Sequence, residues 1–121
     1  MNEGSVWEAV EFAATHHLDN LVLIVDFNNL QAFGATNTVI NQSNLAQRLQ
    51  DFGFDAVEID GHDLNQIQTA LTRTPSGKPL AVVAHTVKGK GVSFMENKLE
   101  WHYKSPNDEQ LAAAIAELEA K

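Results

Sequence analysis

Five consecutive apolar residues, Leu21 to Val25, run directly into Asp26, Phe27 and Asn28. An unbroken apolar run that ends at polar residues predicts a β-strand buried on both faces, as in a parallel sheet. We expect this strand, Leu21 to Asp26, to be central in the sheet. Ligands of open α/β folds bind beyond the carboxyl ends of such strands, so the residues after Val25 are the first candidates for a site.

Two neutral oxygen donors follow this strand within one turn. Asn28 carries a side-chain amide oxygen, and Leu30 offers a main-chain carbonyl two residues later. Hard cations such as Mg²⁺ prefer oxygen ligands, so the pair is a candidate metal site. Alternatively, Asn28 only hydrogen-bonds the turn that ends the strand. The residues alone leave both interpretations open.

Helical patterns alternate with apolar runs along the chain. Ser5 and Glu8 form an S-x-x-E capping box, which predicts a helix from Ser5 to His17. Residues 27 to 44 lack periodicity and are expected to form a long loop along one wall of the site. The other predicted elements are a helix from Asn44 to Phe52, a strand from Phe54 to Ile59, a helix capped by Asp63 and ended by Pro75 and Gly77, a strand from Pro79 to Val87, and a helix opened by Ser105, Pro106 and Asp108.

This alternation of helices and strands predicts the α/β class. We expect a three-layer α/β/α arrangement with a mostly parallel sheet and right-handed crossovers. The 121 residues fit a single domain, 1–121. Three parallel strands leave an edge that needs a neighbour, so the fold is expected to be incomplete.

Composition excludes several classes of function. Sixteen acidic and eight basic side chains give a formal charge of −8, which disfavours nucleic acid and anionic membranes as partners. The absence of cysteine excludes disulfides and thiolate metal sites, and it fits a reducing compartment, so a cytoplasmic location is expected. The longest apolar run is too short to span a bilayer, so no membrane association is expected.

Three further patterns have structural interpretations. His62 and Asp63 are expected to form a turn and a helix cap. His85 ends a predicted strand and is expected to be a hydrogen-bonded, partly buried histidine. The segment Lys88 to Gly91 contains two glycines but lacks the spacing of a phosphate-binding loop, so it is expected to be a flexible loop that shields the site.

Five ordered blocks carry a family resemblance. They are EGSVWEA (Glu3 to Ala9), LDNLVLIVDFNNLQAFG (Leu18 to Gly34), FGFDAVEIDGHD (Phe52 to Asp63), AHTVKGKGVSFMEN (Ala84 to Asn97) and WHYKSPND (Trp101 to Asp108). Together they resemble the thiamine-diphosphate-binding domain of transketolases. The resemblance covers nearly all of this chain but only part of the family's first domain, and it implies a partial thiamine-diphosphate-binding fold.

The resemblance implies a cofactor and a metal ion. In transketolases, a Gly-Asp-Gly motif precedes an Asn, and the Asp, the Asn and a carbonyl two residues later bind the metal that holds the cofactor diphosphate. Asn28 and Leu30 match the last two ligands. The Gly-Asp-Gly is expected immediately before Met1. The expected cofactors are therefore thiamine diphosphate and Mg²⁺ or Ca²⁺, with weak binding by this chain alone because the charged ligand is missing.

Four more residues match functional positions of the family. His102 matches a histidine near the diphosphate and the sugar substrate, and is the candidate catalytic residue; Glu3 matches a glutamate at the subunit interface near the coenzyme. Ala32 and Val87 match apolar contacts to the coenzyme ring. Alternatively, Glu3 stabilises the start of a helix, His102 is a packed loop histidine, and the two apolar residues belong to the core.

Three functions follow as hypotheses. The first is a fragment or subunit of a transketolase that transfers a two-carbon ketol unit between sugar phosphates, as in the pentose phosphate pathway, and needs other transketolase domains or subunits in a homo- or hetero-oligomer. The second is an inactive, truncated remnant that acts only as an association module. The third, a small nucleotide-binding module, is disfavoured because no phosphate-binding fingerprint is present.

Overall fold

The computed structural model describes residues 1–74 and 76–120. Its elements alternate between helix and strand, as the sequence predicts. In chain order they are α1 (Gly4–Thr15), β1 (Val22–Phe27), β2 (Leu30–Gln31), β3 (Gly34–Ala35), α2 (Thr36–Val39), α3 (Leu45–Phe52), β4 (Asp55–Asp60), α4 (Leu64–Leu71), β5 (Leu80–His85), a 3₁₀ turn (Leu99–His102) and α5 (Asp108–Glu119).

The main sheet has three parallel strands in the order β1-β5-β4. Phe27 and Asp60 both pair with His85 in the last register position, so the carboxyl ends of all three strands lie level. Every loop that follows a strand therefore begins at the same edge of the sheet. This confirms the predicted α/β class and gives the chain one edge at which a site can be built.

Helices cover both faces of the sheet and confirm the three-layer arrangement. On one face, α1 and α3 pack through Val10 and Leu49 against Ala81 and Val83 of β5. On the other face, α4 contributes the buried Ala70 to a smaller cluster on the strands. The residues of β5 thus alternate between two cores.

The prediction that β1 is central and buried on both faces is wrong. Alternate residues of β1 are exposed, with relative accessibilities of 46% for Val22 and 58% for Ile24. The central strand is β5, in which residues 80–84 are all buried. The reason is topological. Among the described residues, no strand pairs with the free edge of β1, and no helix covers the face of β1 that carries Val22 and Ile24.

The first helix begins differently from its predicted capping box. Ser5 lies inside α1, and Glu3 occupies the N-cap position with extended backbone and no side-chain cap hydrogen bond. The helix ends at Thr15, whereas the sequence pattern predicts an end at His17; His17 instead adopts a left-handed conformation with φ 49°. The S-x-x-E pattern therefore marks the first turn of the helix but not its cap.

The predicted loop of residues 27–44 contains regular structure. The two-residue strands β2 and β3 form a tight antiparallel hairpin, with Leu30 opposite Ala35, and the one-turn helix α2 follows directly. These elements are too short to produce a hydrophobic period, which is why the sequence pattern does not reveal them.

Most of the other predicted boundaries hold. Helix α3 stops at Gly53, whose φ of 108° suits a glycine, and Asp63 caps α4 through its carboxylate. Helix α4 ends at Leu71, and the predicted stop at Pro75 lies outside the described residues. Helix α5 is capped by Asn107, one residue before the predicted Asp108.

Candidate functional site

A cavity of about 320 Å³ opens at the carboxyl end of β1. Its wall includes Asn28 and Leu30 from the hairpin segment, Glu3 from the start of α1, and the buried polar residues Thr36 and Gln42. The cavity lies where ligands of parallel α/β sheets bind. The structure therefore brings together three of the residues that the sequence proposed for the site.

Asn28 is half-buried and closes the turn that leaves β1. Its Oδ1 accepts a hydrogen bond from the main-chain nitrogen of Leu30 at 2.9 Å. Asn29 between them adopts a left-handed conformation with φ 62°, and its carbonyl accepts from Thr36 N at 2.8 Å. Because an amide oxygen has two lone pairs, Asn28 can serve the turn and still coordinate a cation. The two interpretations left open by the sequence are therefore compatible.

The donor set of this cavity fits a hard cation in part. The oxygens of Asn28 and Leu30 are neutral, and Mg²⁺ prefers oxygen ligands that include a carboxylate or a phosphate. Among the described residues, no group of three or more His, Cys, Asp or Glu side chains is placed to hold a metal ion. Asn28 and Leu30 would thus supply two neutral ligands, and the carboxylates of Glu3 and Asp26 also lie on the cavity wall.

Gln42 is a second indication that a polar group binds in the cavity. Its side chain is only 4% exposed, and its Nε2 donates to Asn2 Oδ1 at 2.9 Å. Its Oε1 is buried without a hydrogen-bond donor among the described residues. A buried acceptor without a donor is costly, so a water molecule or a ligand group is expected there.

Glu3 lies on the wall of this cavity. Glu3 is exposed and occupies the N-cap position of α1, where its side chain makes no cap hydrogen bond. The carboxylate is therefore not committed to the helix backbone as a cap. The alternative of a helix-capping glutamate loses its direct contact, although its charge still favours the positive end of the helix dipole.

A contact between distant segments brings Tyr103, the residue after His102, to the hairpin. The hydroxyl of Tyr103 lies 3.5 Å from the carbonyl oxygen of Ala32, and the rings of His102 and Tyr103 meet edge to face with centroids 4.7 Å apart. The His102 ring is exposed, while Trp101 anchors the segment by donating to the Phe94 carbonyl at 2.9 Å. His102 is therefore an exposed neighbour of the residue that contacts the hairpin, and it is not among the residues that line the Asn28 cavity.

Val87 borders a different cavity. This second cavity, of about 470 Å³, opens at the carboxyl ends of β4 and β5 and is lined by polar residues that include Asp60, His62 and Lys90. Val87 is half-buried, and its main-chain nitrogen donates to His62 Nε2 at 2.8 Å. Val87 therefore lies on the wall of this second cavity and not on the wall of the Asn28 cavity.

Two histidines make contacts that sequence reasoning missed. His85 Nε2 lies 2.8 Å from Glu58 Oε2, and its ring meets that of Phe27 edge to face at 5.2 Å. His62 accepts from Val87, 25 residues away. The sequence predicts only a turn and a cap at this histidine, because no local signal reveals a partner on another strand.

Asp63 has a shifted pKa. The pKa of its carboxyl is lowered from the ordinary value, first by the main-chain N–H of Gln66, then by the side-chain amide of Gln66 and the N–H of Asn65. These donors belong to the first turn of α4, and they favour the ionised carboxylate. The predicted helix cap is therefore confirmed.

The glycine-rich segment Lys88 to Gly91 follows a defined path. Gly89 has φ 75°, and a Cβ atom there would lie 2.7 Å from the Met95 carbonyl oxygen. The segment is closed by main-chain hydrogen bonds, such as that from Asn97 N to Lys88 O at 2.9 Å.

None of the described helices is long and apolar enough to cross a membrane.

Comparison with known proteins identifies relatives over nearly the whole chain. The chain is 40% identical over 119 residues to an apulose-4-phosphate transketolase subunit of Actinobacillus succinogenes, covering 98% of this chain and 43% of that protein. It is 36% identical to human transketolase over 104 residues, or 86% of this chain and 16% of that protein. The chain thus spans less than half the length of these relatives.

Solved structures agree with this relationship. The transketolase of Campylobacter jejuni superposes with a TM-score of 0.90 and 32% identity over 97% of this chain, which corresponds to 18% of that protein. A transketolase from Leishmania mexicana, at 22% identity and a TM-score of 0.69 over 98% of this chain and 21% of that protein, supports the fold alone. Residues 1–119 match the family described as "Transketolase, thiamine diphosphate binding domain". The chain therefore belongs to the transketolase family, within its thiamine diphosphate-binding domain.

Proposed function

We propose that this chain is the part of a transketolase that holds thiamine diphosphate through a divalent metal ion, and that it acts with other transketolase polypeptide to transfer a two-carbon ketol unit between sugar phosphates. The observation that carries the proposal is the Asn28–Leu30 turn, which lines a cavity at the carboxyl end of β1 in a member of this family. When bound, thiamine diphosphate supplies the charge stabilisation that breaking and forming the carbon–carbon bond require.

The first contribution of the chain is to bind the diphosphate. Asn28 Oδ1 and the carbonyl of Leu30 would hold the metal ion, Mg²⁺ or Ca²⁺, as two neutral ligands. The hydrogen bond between these residues fixes the turn before the ion arrives, so less ordering is needed on binding. A carboxylate supplied by polypeptide outside this chain would complete the set.

The second contribution is to orient coenzyme and substrate. His102, whose ring is exposed, would donate a hydrogen bond to the diphosphate or to a hydroxyl of the sugar. Glu3 would act at an interface with other subunits. Ala32 and Val87 would contact the coenzyme ring and exclude water from it. No complete acid–base system is assigned to this chain.

The names of relatives bear on the class of substrate. The names of two relatives refer to apulose 4-phosphate and 6-deoxy-6-sulfo-D-fructose, which are both anionic sugars. We propose that this chain also serves an anionic sugar, in a cytoplasmic enzyme. A site near His102 suits such a ligand, because an imidazole can donate to phosphate or sulfonate oxygens.

The position and exposure of β1 support a need for partner polypeptide. Among the described residues, β1 is an edge strand of the main sheet. Val22 and Ile24, which share one face of β1, are 46% and 58% exposed, and Leu21 before them is 36% exposed. An exposed apolar edge strand presents unpaired main-chain N–H and C=O groups, with which another strand can pair. We propose that other transketolase polypeptide, in the same oligomer, covers this edge.

The experiment uses a complemented complex, defined as the full chain mixed with the segments of the Campylobacter jejuni transketolase that it does not match. Thiamine diphosphate and Mg²⁺ are titrated into the chain and into the complex while the melting temperature is recorded. Ligand at about 100 times its dissociation constant stabilises the folded form by about 2.7 kcal/mol. A shift in the complex, together with ketol transfer, supports the proposal; no shift in the complex refutes it.

The alternative function is an association module without catalysis. The exposed apolar edge of β1 favours association as such, and it requires no cofactor. Complex formation, followed by sedimentation, combined with no cofactor binding and no ketol transfer, would select this alternative.

A further inference from the structure

His62 is held in a fixed position at the end of β4. Its main-chain nitrogen donates to Asp60 Oδ1 at 2.9 Å, and Asp63 N donates to Asp60 O at 3.1 Å. The turn continues into the cap of α4. The imidazole therefore projects from a segment whose backbone is restrained on both sides.

Gly61 allows this turn to lie directly against the end of β5. Its nitrogen donates to His85 O at 2.8 Å, which extends the ladder between the strands by one bond. A Cβ atom at this position would lie 2.5 Å from Thr86 Cγ2 and 3.1 Å from Ala84 Cβ. The close approach brings His62 within reach of the residue that follows Thr86.

The hydrogen bond between His62 and Val87 defines the protonation of the imidazole. The main-chain nitrogen of Val87 lies 2.8 Å from His62 Nε2, and a main-chain nitrogen can only donate. Nε2 must therefore carry the lone pair, and the neutral ring carries its proton on Nδ1. A doubly protonated ring has no acceptor left, so protonation breaks this contact.

Thr86, the first residue after β5, is hydrogen-bonded to β1. Thr86 Oγ1 donates to Asp26 Oδ1, and Thr86 N donates to Phe27 O at 3.4 Å. The exit of β5 is thus restrained by β1 through Thr86 and by the β4 turn through His62. Beyond Val87 the chain turns at once, since Lys90 N donates to Val87 O at 3.1 Å.

We propose that His62 is a positioning residue: its neutral imidazole fixes the main chain of Val87, so that the Val87 side chain is held against the coenzyme ring. The inference rests on the proposed function, in which Val87 contacts that ring. His62 itself is assigned no contact with coenzyme or substrate.

The test compares two variants in the complemented complex. His62→Leu removes the acceptor, whereas the amide oxygen of His62→Gln reaches the position of Nε2 and does not titrate. The dissociation constant of thiamine diphosphate with Mg²⁺ is expected to rise about threefold to tenfold in His62→Leu and to stay near wild type in His62→Gln.

The outcomes separate the inference from the proposed function. If the wild-type complex binds no coenzyme, both are refuted. If it binds, but His62→Leu and His62→Gln have the same affinity, the positioning role is refuted and the proposed function stands. A ¹⁵N spectrum of the full chain gives an independent reading: His62 Nε2 should show the shift of an unprotonated ring nitrogen, and a protonated Nε2 would overturn the inference.

Discussion

The amide oxygen of Asn28 accepts a hydrogen bond from the main-chain nitrogen of Leu30 at 2.9 Å. This contact orders the turn at the end of β1 without a metal ion, and it leaves a second lone pair on the amide oxygen. The turn from Asn28 to Leu30, which stabilises the fold, therefore also carries both candidate metal ligands. A structural role for Asn28 does not argue against a functional one.

Gly61→Ala is expected to destabilise the full chain. The new Cβ atom would lie 2.5 Å from Thr86 Cγ2 and 3.2 Å from His85 O, so the turn or the strand exit must shift. Such overpacking costs about 1–3 kcal/mol in the free energy of unfolding, measured by urea denaturation.

Gly4→Ala is the matched control for this variant, because nothing lies within 4 Å of a Cβ atom at Gly4. Combining Gly61→Ala with Thr86→Ser removes the closest atom and should recover part of the loss. Equal stability of the two alanine variants would contradict the close approach.

Asp63→Ala is expected to lower the melting temperature at neutral pH but not in strong acid. The folded-state pKa of Asp63 is lowered, above all by the main-chain N–H of Gln66. The stability it contributes is therefore present above the unfolded-state pKa and is lost as pH falls through the folded-state pKa. Melting curves of wild type and variant should converge on acidification. Asp63→Asn, which can cap but does not titrate, should show a smaller difference from wild type at neutral pH.

Ile24→Lys tests the exposed edge of β1. Ile24 is 58% exposed, so the change should alter the free energy of unfolding of the isolated chain by less than about 0.5 kcal/mol. If partner polypeptide covers this edge, the buried charge should weaken assembly of the complemented complex by about tenfold or more, as measured by sedimentation.

Leu64→Lys is the control for assembly, since it adds the same charge at a residue that is 79% exposed on α4. Equal assembly by the two lysine variants would show that the β1 edge is not the contact surface.

The order of the longer helices and strands was predictable from local signals, but the short elements of residues 30–39 and the place of each strand in the sheet were not. The apolar runs ending at Val25 and Val87 look alike in sequence. Only one of them, β5, is flanked by strands on both sides among the described residues, and burial follows that neighbourhood. The exposure of Ile24 depends on what lies beside β1, which no window of the sequence reports.

The candidate site was predictable only where its residues are close in sequence or match the family. Asn28 and Leu30 are two residues apart, so their shared turn follows from local chemistry. The contact of Tyr103 with Ala32 joins residues 71 positions apart, and that of His62 with Val87 joins residues 25 apart. These contacts arise from parallel strands whose loops emerge at one edge, and they require the tertiary structure.

The most direct test of the proposed metal site is the affinity of the complemented complex for thiamine diphosphate in the presence of Mg²⁺, measured for wild type, Asn28→Ala and Asn20→Ala. Asn20 is an exposed residue that precedes β1, and it serves as the control. Loss of an oxygen that contacts a charged group costs about 1.5–3 kcal/mol, so Asn28→Ala should bind about tenfold to hundredfold more weakly, while Asn20→Ala should bind like wild type. Wild-type affinity in a folded Asn28→Ala complex would contradict the assignment of Asn28 as a metal ligand.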